Sequence, residues 1–177
     1  MPAQHFFRSW LPAAVAGAQP PRAILIVSGH WETATPTVNV VRGNNDTIHD
    51  FEGYGFPKSM FQLEYPAPGA PDVAKKAKEL LEQAGFGRAL APLRDDGVLI
   101  LGSGNATHNL SCMAPVAEGT PVPQWAAEFD GWLQEALLAG GRHDDVKQYE
   151  EKAPHGKMAH PSPDHFLPLH VALGAAG

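Results

Sequence analysis

Apolar positions along the chain fall into two patterns. The first is unbroken. Ala23-Ile24-Leu25-Ile26-Val27 and Val98-Leu99-Ile100-Leu101 each run without a polar residue, pass into small residues, and reach a histidine, His30 in the first case and His108 in the second. A continuous β-branched-rich run reads as a strand buried on both faces, as in a parallel sheet covered by helices. Gly29 lets the chain turn where the first strand ends. His30 then falls at the carboxyl end of a central strand, where open α/β sheets place their ligands. On this stretch alone, a metal ligand and a polar strand cap are equally allowed.

The second pattern repeats every three to four residues. Asp72 to Ala84 puts Val73, Ala74, Ala77, Leu80, Leu81 and Ala84 on one face, and Lys75, Lys76, Lys78, Glu79 and Glu82 toward water. Asp72 after Pro71 reads as its N-cap and Gly85 as its C-cap. Gln124 to Ala139 predicts a second amphipathic helix with Trp125, Phe129, Trp132, Leu133 and Ala136 inward. His5 to Ala16 predicts a short helix ended by Gln19-Pro20-Pro21, and Arg142 to Glu151 a polar one. Thr35 to Val41 predicts another strand, and Leu90 to Asp96 a connector. Ser162-Pro163 reads as N-cap and first residue of a last helix, with His165 in its first turn. Between these lies Ile48 to Pro71, a long loop carrying Phe51, Tyr54, Phe56, Phe61 and Tyr65. Long loops in compact domains are usually functional, although an aromatic-anchored surface flap fits as well.

Composition narrows the class. The 177 residues suffice for one domain with a real core. A formal net charge of −6 with 18% charged residues gives no nucleic-acid footprint. No apolar run approaches the ~20 residues that cross a bilayer, and Met1 to Trp10 lacks the basic start and apolar stretch of a secretory signal. The one cysteine, Cys112, permits no internal disulfide, which points to a reducing, cytoplasmic setting.

Nine histidines are many for this length, and neutral imidazole is the commonest side-chain metal ligand. His30 and His108 follow buried strands, and His165 stands at a helix start. His49, His160 and His170 line the same cleft if the site is real; His5, His143 and His155 read as surface residues. Spacing alone is a weak signal, since HExxH and paired cysteines are absent. Gly102-Ser103-Gly104 lacks the lysine of a phosphate loop, and neither Ser28 nor Ser103 sits in a nucleophile elbow.

Six stretches together resemble one family. They are Ser28-Gly29-His30-Trp31, Thr47-Ile48-His49-Asp50-Phe51, Gly55-Phe56-Pro57, Tyr65-Pro66-Ala67-Pro68-Gly69, Gly102 to Leu110 (Gly-Ser-Gly-Asn-Ala-Thr-His-Asn-Leu), and His160 to Leu169 (His-Pro-Ser-Pro-Asp-His-Phe-Leu-Pro-Leu). All are similar to the class III extradiol ring-cleavage dioxygenases of the DOPA-dioxygenase type, especially plant-like members.

The resemblance implies an α/β fold, a central mostly parallel or mixed sheet flanked by helices in a single domain over residues 1–177. It implies a non-haem metal at the strand ends, Fe(II) with Zn(II) as the alternative. The substrate is then a catechol, bound through both hydroxyls and opened with O2. His30 and His165 correspond to metal ligands. His108 corresponds to the active-site histidine, a general acid/base or a further ligand, and His49, Phe56 and His160 to substrate contacts. Two departures are expected: the family's initial strand with its His-Gly-Ser-Pro ligand motif is missing, and so is a central stretch of roughly fifty residues, whose flanks meet near Gly85 to Leu93. A chain truncated in this way exposes a sheet edge open to self-association. The competing reading is an inactive remnant that binds metal or a partner.

Overall fold

The computed structural model describes residues 5–10, 13, 20–84, 88–113, 117, 119–138 and 143–177. The expected C-cap Gly85, Gln19, Ala139, Arg142 and most of the first predicted helix after Trp10 lie outside the described residues. Phe6–Trp10 forms a single π-type turn.

Both unbroken apolar runs are strands, β1 at Ala23–Ser28 and β2 at Val98–Ser103, and they pair in parallel. Hydrogen bonds from Arg22 N to Gly97 O and from Gly29 N to Ser103 O, both 3.0 Å, continue the pairing at its two ends. The expectation of burial on both faces is corrected. Leu25 and Val27 are partly buried, but Ile24 and Ile26 are 53% and 56% exposed, so β1 alternates like a strand covered on one side. Thr35 to Val41 forms no strand. Pro36 within it has no N–H to give a ladder, and the only isolated bridge among the described residues joins Asn44 to Pro68.

The described residues gather into two compact units, Met1–Leu25 with Thr33–Leu99 and Ile26–Glu32 with Ile100–Gly177. Each strand contributes to both. In the first unit, helix α1 at Pro71–Ala84 buries Val73, Ala74 and Ala77 and turns its lysines and glutamates outward. The helix starts one residue earlier than predicted. Pro71 itself takes the first turn, where a missing N–H costs nothing, and Asp72 follows as a favourable first-turn anion. Leu90 to Asp96 is more than a connector: Arg88–Leu90 and Ala91–Asp95 are helical turns, and Leu90 and Leu93 are almost fully buried.

The aromatic loop of this unit closes on itself in register. Gly69 N donates to Gly43 O (2.7 Å), Asn45 N to Ala67 O (2.8 Å), Tyr65 N to Thr47 Oγ1 (2.8 Å), and His49 Nε2 lies 2.8 Å from Leu63 O. The two arms are thus tied at every second residue, half by side chains. Phe51, Phe56, Phe61 and His49 cluster at the tip with ring centroids 4.8 to 6.1 Å apart.

In the second unit, helix α2 at Gln124–Leu138 lays Phe129, Leu133 and Ala136 on a core completed by Val146, Tyr149, Ala159 and Phe166. Burying each large side chain is worth about 1.5–3 kcal/mol. Val146 and Tyr149 come from the short helical turns His143–Lys147 and Tyr149–Lys152, which replace the single polar helix expected there. The last helix, α3, is Leu167–Ala176 with Pro168 in its first turn. It begins later than the Ser162-Pro163 reading placed it. Pro163 to Phe166 forms a separate turn, closed by Phe166 N and Leu167 N on Pro163 O (2.8 and 2.9 Å), and His165 sits in that turn. Helix α3 packs directly on β2, with the Pro168 carbonyl and Ala172 against Gly102.

Candidate metal centre

Three segments of the second unit meet where β1 and β2 end. A side chain at Gly29 would stand 3.1 Å from Asp164 O and from His165 Cα and Cγ. One at Gly104 would collide with the His165 carbonyl. Glycine at both positions is what lets the strand ends reach the Pro163–Phe166 turn. Backbone bonds then fix the approach: Asn105 N to His165 O at 3.0 Å and His108 N to Ala159 O at 2.8 Å. Ser28 Oγ accepts from His30 N (3.1 Å) and shapes the turn after β1.

The result brings together His30, His108 and His165. The rings of His108 and His165 stack with centroids 3.5 Å apart, and His30 meets His165 edge-on at 4.9 Å. Nε2 of His30 lies 3.2 Å from Nε2 of His165. Asp164 completes the group: its Oδ2 is 2.5 Å from His165 Nδ1. A carboxylate only accepts, so Nδ1 carries a proton toward Asp164, and the ring's other nitrogen, Nε2, is the one turned to its neighbours. Ligand atoms of His108, Asp164 and His165 all lie within 4.8 Å of one another, and the second carboxylate oxygen, Asp164 Oδ1, is buried with no hydrogen-bond partner. Imidazoles converging with an orphaned carboxylate oxygen fit a divalent transition-metal ion, and the donor types suit non-haem iron or zinc.

Electrostatics favour the ligand form of Asp164 and His108. Burial opposes ionisation of Asp164, but hydrogen bonds from Ser162 and His165 outweigh it and hold its carboxyl at about 2. Desolvation, then the neighbouring His165, push His108 below its usual value, so its imidazole is neutral near pH 7.

Sequence reasoning missed Asp164, although its place directly before His165 in Pro163-Asp164-His165 was the available signal. His49 and Phe56 belong to the aromatic tip of the first unit. His160 is 2% exposed, with its ring against Phe129, Tyr149 and Phe166, so it is a core residue behind His108 and offers almost no open surface. His170 is partly buried against Phe166, its Nε2 3.1 Å from Val146 O. His155 is exposed and paired with Glu128 at 2.7 Å.

Comparison with known proteins gives the family. Residues 1–88 and 82–177 match, in two pieces, the family described as the catalytic LigB subunit of aromatic ring-opening dioxygenase. Proteins named 4,5-DOPA dioxygenase extradiol are similar along almost the whole chain. That of Beta vulgaris is 40% identical, covering 99% of this chain and 80% of the relative; that of Mirabilis jalapa is 37% identical, with 98% and 79% covered. The Escherichia coli protein of that name is 30% identical, with 96% and 78% covered. The crystal structure of an uncharacterised protein from Escherichia coli K12 superposes with a TM-score of 0.64 at 25% identity, covering 95% of this chain and 80% of that one. The Beta vulgaris alignment spans 223 positions against 177 residues here, so the relative has at least 46 positions without a counterpart. The two family matches meet at residues 82–88, beside the junction expected from the sequence. With its motifs matched on both sides of that junction, the chain belongs to the family of the catalytic LigB subunit of aromatic ring-opening dioxygenase.

Proposed function

We propose that this chain is a non-haem Fe(II)-dependent extradiol dioxygenase that opens the ring of a DOPA-like catechol with O2. The convergence of His30, His108 and His165, with Asp164 fixing the tautomer of His165, carries the reading. The names of the curated relatives support the substrate class.

His30 and His165 would hold the ion, with Asp164 beside them; His108, stacked on His165, either joins them as a ligand or stays off the ion as a base. Bound iron would supply a redox-active Lewis acid with positions left for substrate and O2. The protein's part is orientation and proton handling. Asp164 locks the His165 ring, so its Nε2 is aimed without further ordering. His108, neutral and partly exposed, can take the proton of a catechol hydroxyl. Action in the cytoplasm belongs to the same reading, since the Cys112 thiol is exposed.

Anaerobic loading with Fe(II), then addition of L-DOPA and air, tests the proposal. Oxygen uptake matched one-to-one by a yellow ring-opened product is expected. Folded, iron-bound protein that consumes no oxygen would sink it. That second outcome is what an inactive remnant predicts, and the 46 or more unmatched positions favour this reading as the alternative. Such a remnant would bind Fe(II) or Zn(II) without turnover and pair with another chain along β1, whose Ile24 and Ile26 face outward.

A further inference from the structure

The stretch Met158–His160 runs beside the loop that carries His108 and ties it at three points. His160 Nε2 lies 2.8 Å from Ala106 O, His108 N donates to Ala159 O at 2.8 Å, and Asn109 Nδ2 donates to Met158 O at 2.7 Å. Two of the three bonds come from side chains. They bracket His108, one bond two residues before it and one at the residue after.

His160 is an unexpected choice for its position. It is 2% exposed and packs among Phe129, Tyr149 and Phe166, where a phenyl ring would fill the same space. A carbonyl only accepts, so the bond to Ala106 requires the proton on Nε2. Nδ1 is then a bare lone pair, and it is buried with no partner. A buried unpaired acceptor is a net penalty. What the imidazole gains over a phenyl is the single bond to the His108 loop. Asn109 is used as fully: its Oδ1 accepts from Ser111 N (3.1 Å) and Ser111 Oγ (2.6 Å) while its amide reaches Met158.

We propose that His160 and Asn109 are positioning residues that hold His108 against His165; this rests on the reading of His108 as a working member of the metal centre. Neither touches the reacting atoms. They act by fixing where the His108 ring stands in its stack.

The test compares Asn109→Ala, His160→Phe, His160→Gln and His108→Ala in the full chain. Each is read by kcat and KM of the Fe(II)-loaded protein, by the visible spectrum of the Co(II)-loaded protein, and by thermal midpoint. A misplaced group costs on the order of 10- to 100-fold. Asn109→Ala and His160→Phe should lose about that much in kcat with KM nearly unchanged, and alter the Co(II) spectrum as His108→Ala does. His160→Gln, whose amide places a donor near the old Nε2, should recover most of both. If His160→Phe fails to fold, Asn109→Ala and His160→Gln still decide. Wild-type kcat and spectrum in Asn109→Ala and His160→Phe, with His108→Ala impaired, would overturn the positioning role alone. A silent His108→Ala would overturn the site reading and this proposal together.

Discussion

At the scale of single residues, the centre depends on which nitrogen carries a proton. Asp164 settles that for His165, and desolvation by burial holds His108 below its usual value. Removing His165 removes the ring that both other imidazoles touch. His165→Ala should therefore weaken Zn(II) binding at least about 10-fold by calorimetric titration, since even partners of metal ligands are worth that much. Unchanged affinity would place the metal elsewhere. A second residue-scale effect concerns stability. Burial pushes His170 below its usual 6.5, partly offset by its bond to Val146 O and assisted by Lys147. In the window below 6.5 the unfolded chain takes up this proton before the folded protein does, so stability is lost as pH falls until the lowered value is passed. Denaturant midpoints measured from about pH 7.5 to 5.5 should fall, and fall less steeply in His170→Gln.

At the scale of elements, the sequence showed both strands, α1 and α2 nearly to the residue, because each buries a strong periodic or unbroken apolar face. It misled where the neighbours decide. An unbroken run such as Ala23 to Val27 reads as doubly covered only if strands and helices exist to cover it; here β1 has one paired strand and exposes Ile24 and Ile26. The start of α3 was missed because Pro163 and Pro168 both offer an N-terminal signal, and only packing on Gly102 selects the later one. The His30, His108 and His165 cluster was legible because each follows a small-residue or proline-bounded turn; the role of Asp164 was not, because hydrogen bonding is invisible in spacing. Two glycines separate these effects. Gly104→Ala should cost about 1–3 kcal/mol by overpacking against the His165 carbonyl. Gly131→Ala, in α2 with open space around the new methyl, should gain up to about 1 kcal/mol. Urea melts of both variants check the pair, and equal shifts would contradict the packing.

At the scale of the whole molecule, the two-stranded sheet has, among the described residues, no further strand on its outer edges, and β1 carries exposed apolar side chains. Self-pairing along that edge predicts a concentration-dependent rise in mass by sedimentation, reduced by Ile26→Lys, since an edge lysine blocks strand addition. A monomer at every concentration would remove the edge as an interface. Metal should also stabilise the fold by mass action. At a hundredfold excess over Kd the gain is about 2.7 kcal/mol, visible as a raised thermal midpoint that a chelator reverses.

The aromatic loop of the first unit carries a consequence for protein engineering. Its arms are fastened to each other from Gly43–Gly69 through His49–Leu63, so the closure is made at the neck. Gly53 and Gly55, both at positive φ with nothing within 4 Å of a would-be side chain, leave the crest open. Doubling the length of chain beyond the neck adds only about 0.6 kcal/mol of closure entropy. Foreign peptides, epitope tags or reporter sequences grafted between Gly53 and Gly55 should thus be carried with little loss of stability, whereas a one-residue insertion in either arm would put every later rung out of step.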